Sequence, residues 1–266
     1  MSEVVELLKE LVSTDSVNPG LIDGAVGEGP IADFVMTWFQ QRGFDVTRVE
    51  DTPGRPSVVA VARGTGGGRS IMFNGHLDTV GISDYNGDPH TPKVVDGKLY
   101  GRGSSDMKGG LAALMVAADR AAAAKLAGDV VVACVADEEH LSIGTQEILS
   151  NGFTADAAIV AEPVGFNMVV AHKGFMWFDV TVRGRSAHGS RPDLGIDAIT
   201  KSGRFLVALD RYQETLALRP PHPEIGAPSV HASLIKGGQE LSSYPAECSV
   251  ALERRTIPGE EPEAVK

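Results

Sequence analysis

SIMFNGHLDTV (70–80), DVVVACVADEEH (129–140) and AAIVAEP (157–163) share one pattern: a short apolar run that ends in a histidine or an acid. Unbroken apolar runs of roughly four to eight residues mark strands covered on both faces. Helical patterns separate them, LAALMVAADRAAAAKL (111–126) and GTQEILSNG (144–152). Upstream, Val4, Val5, Leu7, Leu8, Leu11 and Val12 recur at helical spacing. A second helix is predicted from about Pro30 to Gln41, with Pro30 suited to a first turn and Gly43 to a stop. FDVTRVE (44–50) and SVVAVAR (57–63) read as two more strands. Strands alternating with helices predict an α/β domain, with a mostly parallel central sheet and helices on both faces. Function in such sheets gathers at the carboxyl ends of the strands.

The 266 residues include 24 Lys plus Arg against 35 Asp plus Glu, a net charge of −11. That balance argues against a nucleic-acid backbone or an anionic membrane as partner. No apolar run reaches the ~18 residues of a membrane span, and no charged-then-apolar leader opens the chain. Cys134 and Cys248 cannot make a disulfide framework, so a reducing, cytoplasmic setting is expected. GTGGG (64–68) invites a nucleotide-loop reading, but such a loop follows a strand and opens a helix. This one leads into another strand, which predicts a hairpin or tight connection instead. Residues 75–107 read as a long irregular stretch, of the kind that often carries function.

The pattern changes near residues 172–174. FMWFDVTVRGR (175–185) alternates like a half-exposed strand, and IDAITKSGRFLVALDRYQ (196–213) reads as a helix. SVHASLIKGG (229–238) and AECSVALERRTI (246–257) read as two further strands. This order predicts a small α+β unit with one sheet face covered, and hence two domains, 1–173 and 174–266. EEPEAVK (260–266) reads as the start of a helix.

The polar residues at strand ends carry the chemistry. His76 and Asp78 follow one strand, Glu138 and Glu139 another, and Glu162 a third; Asp106 stands before a helix. Each has an ordinary structural reading: a surface histidine, a solvated Glu-Glu pair, an Asp that caps a helix. Together they bring one imidazole and several carboxylates to one sheet edge. Burying so many negative groups is costly unless cations neutralise them. A pair of divalent metals is the simplest solution, and imidazole with carboxylates suits zinc, with cobalt or manganese as alternatives.

GHLDTV, GRGSSDMKGG (101–110), ADEEHLSIGT and AEP, in that order, resemble the metallopeptidase M20 family of deacetylases, desuccinylases and carboxypeptidases. SAHGSRPDLGIDAI (186–199) and IKGGQELSSYPAECSVALERRTIPGE (235–260) resemble the family's inserted lid or dimerisation domain. The resemblance implies a zinc-peptidase-like catalytic domain over 1–173 and a lid over 174–266. It implies that His76, Asp106 and Glu162 hold one zinc, that Asp106 and Glu139 hold a second, and that Asp78 orients His76. Glu138 is then the general base, His188 stabilises the oxyanion, and Arg255 and Ser242 contact substrate. The implied activity is hydrolysis of the amide bond of N-acyl amino acids or small peptides, in a homodimer formed through the lid.

Two departures stand out. Ser242 occupies a position where relatives often carry Asn. The family's second metal also takes a histidine from a segment that returns after the lid, whereas this sequence stops at Lys266. An incomplete second site is therefore expected, with His140 the least implausible substitute among His90, His140, His172, His222 and His231. The competing reading is a non-catalytic dimerisation or metal-binding module, which would have no need of Glu138.

Overall fold

The computed structural model describes residues 2–165 and 167–266, in two compact units, Met1–Phe166 and Asn167–Lys266. The first unit carries helices α1 (Glu3–Ser13), α2 (Gly29–Gln40), α3 (Lys108–Ala123) and α4 (Ile143–Ser150). Its strands are β1 (Asp45–Val49), β2 (Ser57–Ala62), β3 (Ile71–His76), the short pair β4 (Lys93–Val95) and β5 (Lys98–Tyr100), β6 (Val130–Val135) and β7 (Ala157–Val160). Among the described residues the main sheet has five strands in the order β1-β2-β6-β3-β7. β6 pairs in parallel with β3, and β3 with β7, while β2 runs antiparallel to both of its neighbours.

All six residues of β6 are buried. Val130, Val132 and Cys134 face a core built with Leu11 of α1, Ile31, Val35 and Phe39 of α2, and Leu111 and Met115 of α3. Val131, Ala133 and Val135 face the other side, against Ile148 of α4. Side-chain alternation along one strand thus supplies both cores, which is why the run is apolar throughout. Burial also pushes the Cys134 thiol pKa upward.

Of the hairpin or tight connection expected at 64–68, the hairpin is corrected. β2 and β3 both flank β6, so the glycine loop crosses the entry to β6 and joins strands that do not pair. Thr65 and Gly66 donate to the carbonyls of Leu126 and Ala127 at 2.9 and 3.0 Å. A Cβ on Gly68 would lie 2.4 Å from the Gly128 nitrogen, and Gly66 and Gly67 have positive φ, so close backbone approach and left-handed turns account for these glycines. The stretch 75–107 is also not wholly irregular, because it contains the β4–β5 hairpin.

The second unit has β8 (Gly174–Arg183), α5 (Ala198–Ala217), β9 (Ser229–Gly237), β10 (Glu247–Thr256) and the short α6 (Pro262–Val265). Its antiparallel sheet has the order β8-β10-β9. α5 covers one face through Phe205, Leu209 and Leu216, which meet Phe178, Val180, Val230 and Leu252. Asp197 caps α5 by accepting from the Thr200 nitrogen at 2.9 Å.

Candidate metal centre

Strand register assembles the site. His76 ends β3 and pairs with Val135, the last residue of β6, so the turn bearing Glu138 and Glu139 leaves the sheet beside it. Asn74 pairs with Val160, the last residue of β7, so Glu162 follows two residues past that strand's end, on the side of His76. Asp106 arrives from a third direction, ahead of α3. Gly75 makes room for that helix, since a Cβ there would meet the Met107 methyl at 2.8 Å. Asp106 does not cap α3, whose N-cap residue is Met107 without a side-chain cap. Its carboxylate lies 3.2 Å from His76 Nε2 instead.

The imidazole is buried and aimed. His76 Nδ1 lies 2.9 Å from the Asp78 carbonyl and 3.5 Å from its carboxylate. A proton held on Nδ1 leaves Nε2 as the free donor atom, the arrangement of a metal-binding histidine. Nε2 faces Asp106, Glu162 at 3.6 Å and Glu138 at 3.8 Å. Two groups have potential ligand atoms within 4.8 Å of one another: His76, Asp106 and Glu139, and His76, Glu138 and Glu162. Among the described residues, neither group includes a second imidazole. His140 turns its Nδ1 toward Asp137, 3.8 Å away, and packs against Gly20.

The carboxylates are less buried than their number led us to expect. Asp78 is fully buried, but the Asp106 and Glu138 side chains are 56% and 46% exposed. The electrostatics still call for a cation. Burial, with repulsion from Asp106 and Glu138, raises Glu162 to about 7 against the pull of His76. Burial raises Glu139 to about 7 in the same way, with Asp106, Asp78 and Glu138 adding to it. Burial disfavours the His76 imidazolium, but Asp106, Asp78 and Glu162 overcome it and lift the group to about 11. Two acids near neutrality beside a histidine held protonated form a donor set that a divalent cation would discharge. The residues present therefore fit such an ion.

His188, Ser242 and Arg255 belong to the second unit. His188 is exposed, with Nδ1 2.9 Å from Ser190 Oγ. Ser242 donates to Glu240 at 3.3 Å. Arg255 pairs with Glu253 at 2.9 Å and sits over the Phe175 ring. Sequence reasoning missed Asn18, Glu28, Arg55 and Asp137, which form a polar cluster beneath the Glu138–Glu139 turn. The Asn in SVNPG and the Asp that begins DEEH were the available signals.

A sequence profile of Peptidase family M20/M25/M40 matches residues 72–256. The chain belongs to this family. As a member it is a metal-dependent amide hydrolase by class. It is 32% identical over 261 residues to an acetylornithine deacetylase from Vibrio atlanticus, covering 96% of this chain and 68% of the relative. A Myxococcus xanthus acetylornithine deacetylase is 34% identical over 269 residues, covering 97% and 68%. Among solved structures, an M20 family metallo-carboxypeptidase from Sulfolobus solfataricus superposes with a TM-score of 0.77 at 18% identity, over 100% of this chain and 74% of that one. A dinuclear metal binding M20 peptidase from Bacillus subtilis gives 0.63 at 16% identity, over 98% and 66%.

Proposed function

We propose that this M20 chain hydrolyses the amide bond of N-acyl amino acids or small peptides, with the chemistry in the first unit and a lid and dimerisation role in the second. The observation that carries the reading is His76 Nε2, oriented through Nδ1 by Asp78 and facing Asp106, Glu138 and Glu162 at one sheet edge. N-acyl amino acids come first because the curated relatives are named acetylornithine deacetylases.

His76, Asp106 and Glu162 would hold one zinc, and Asp106 and Glu139 a second, with cobalt or manganese as substitutes. Such ions supply a polarised carbonyl and an acidified water. Glu138 would serve as general base toward the attacking water and then as general acid toward the departing amine. Asp78 holds the Nδ1 proton of His76 and turns the ring so that Nε2, once its own proton is displaced, faces the ion. In the second unit, His188 offers an N–H to the developing oxyanion, and Ser242 and Arg255 contact substrate, Arg255 through a carboxylate. The homodimer reading is supported by β8, an edge strand open to pairing with a copy of itself. We place the enzyme in the cytoplasm, in keeping with free, buried Cys134 and Cys248.

The test is turnover of N-acetyl and N-succinyl amino acids, N-acetylornithine among them, after loading with zinc or cobalt. Release of free amino acid that depends on metal supports the reading. Metal binding without turnover of any of these substrates favours the non-catalytic module.

A further inference from the structure

Beneath the metal centre lies a second polar cluster that the hydrolytic reading does not use. Glu28 and Asp137 are fully buried, as is Asn18, and the Arg55 side chain is 12% exposed. The Arg55 guanidinium forks onto Glu28, with Nε 2.9 Å from Oε2 and Nη2 2.6 Å from Oε1. Nη2 also reaches Asp137 Oδ1 at 2.8 Å. Glu28 Oε1 in turn accepts the Asp137 backbone N–H at 3.1 Å.

Asn18 joins this cluster to the metal centre. Its Nδ2 donates to Asp78 Oδ2 at 2.7 Å and to Asp137 Oδ1 at 3.0 Å, so both amide hydrogens are committed. Its Oδ1 accepts from the Gly20 nitrogen at 2.7 Å, which fixes the amide against flipping. Asp78 then accepts the Glu138 and Glu139 backbone N–H groups, each at 3.1 Å, one on each carboxylate oxygen.

The turn that carries the two glutamates is therefore held at both ends. Asp78 grips the Glu138 and Glu139 nitrogens. At the other end Asp137, in left-handed backbone at φ +64°, is gripped through its nitrogen by Glu28 and through its carboxylate by Arg55, Asn18 and the Leu141 nitrogen. Asp tolerates that conformation better than most residues, and these four contacts hold it there. Asn18 contacts both carboxylates, Asp78 and Asp137, and so couples the two grips.

We propose that Asn18, Glu28 and Arg55 are positioning residues that aim Glu138 and Glu139 by clamping the Asp137–Glu139 turn to Asp78. The proposal deepens the metal-dependent reading and rests on it. Replacing Asn18 by Leu removes both bridging donors at similar volume. Arg55→Lys keeps the charge but loses the two-pronged contact that also spans Asp137.

The experiment uses cobalt(II) alone as probe on the 266-residue chain, and reads binding affinity and the visible absorption of the bound ion. Asn18→Leu and Arg55→Lys should each weaken cobalt binding about 10- to 100-fold and alter the absorption envelope. On any N-acyl amino acid the parent hydrolyses, kcat should fall while KM stays near the parent value. Folded variants with the parent's cobalt affinity and spectrum overturn the proposal, and so does failure of both variants to fold, which would make the cluster a folding element only. Absence of cobalt binding by the parent would instead sink the metal-dependent reading itself, so the two failures are distinguishable.

Discussion

Two glycine-to-alanine changes should move stability in opposite directions, and only one should disturb the metal centre. Gly110 lies in α3 and Gly203 in α5, and neither has a positive φ. Alanine is favoured over glycine in a helix interior by about 1 kcal/mol. At Gly203 a Cβ would meet nothing within 4 Å, so Gly203→Ala should stabilise by about 0.5–1 kcal/mol. At Gly110 it would lie 2.1 Å from the Ala161 carbonyl oxygen and 3.1 Å from the Ala161 Cβ. An ordinary contact needs more than an ångström of extra room, and the Ala161 backbone is tied to Asn74 by a 3.1 Å hydrogen bond. Overpacking of this kind costs about 1–3 kcal/mol, which exceeds the propensity gain. Gly110→Ala should therefore destabilise by up to about 2 kcal/mol net. Because Glu162 follows Ala161, the shift is passed to a proposed ligand, and a displacement near 1 Å at a reacting centre costs on the order of 10²-fold. Urea unfolding followed by circular dichroism reads the stabilities, and zinc titration reads the site. If Gly110→Ala stabilises the chain, or leaves zinc affinity untouched, the packing of α3 on the segment before Glu162 does not position that residue.

Glu138→Gln should lose at least 10²-fold in turnover while metal content stays at the parent value, since a general base contributes about 10²–10⁴-fold; metal loss in step with turnover would show that the two glutamates are assigned in reverse. Metal uptake should release protons, because His76 near 11 and Glu139 and Glu162 near 7 must all give theirs up to bind. The release should be roughly one to two protons at pH 7.5 and more toward pH 6, and affinity should rise with pH; calorimetry in buffers of different ionisation heat measures this, and zero release at pH 7 would refute the charge state assigned to His76. In the second unit Glu260 accepts from Arg254 at 2.6 Å, Arg219 at 2.7 Å and the Ile257 nitrogen at 3.0 Å. Arg254 is 2% exposed, so Glu260→Ala strands a buried cation and should cost about 3 kcal/mol or more in urea unfolding.

The parallel pairing of β3, β6 and β7 was legible because each is an apolar run that ends close to a charged residue and helical patterns lie between them; the expected burial holds for β6, which is buried throughout, but is corrected for β7, whose four residues are all exposed. Local spacing could not show that β6 inserts between β2 and β3. That pairing joins residues about seventy apart, and GTGGG looks the same whether the strands it joins are partners or are separated by a third. The β4–β5 hairpin did carry a local signal. KVVDGKLY places Asp96 and Gly97, both with positive φ, between two short strands, the pattern of a tight two-residue turn. The polar length of the surrounding stretch masked it.

The clustering of His76, Glu138, Glu139 and Glu162 was legible for the same reason as the sheet, because these side chains sit where strands end, while Asp106 joins them from the segment ahead of α3. The cluster below it was not, because no spacing rule links Asn18, Glu28 and Arg55. They reach Asp137 across 119, 109 and 82 residues. A reading by elimination was nonetheless open. Of the three consecutive acids Asp137, Glu138 and Glu139, only the glutamates were given a role, and Asp137 follows directly on a strand with both faces covered. An acid so placed is buried, and a buried carboxylate requires a cation or several donors. In a first domain whose outer charges can be solvated, the candidates are an arginine and an amide from irregular segments near the sheet edge. SVNPG and DTPGRPS supply them as Asn18 and Arg55. The demand was visible in the sequence and its satisfaction was not, because burial names the type of partner needed while only the fold can say which residue arrives.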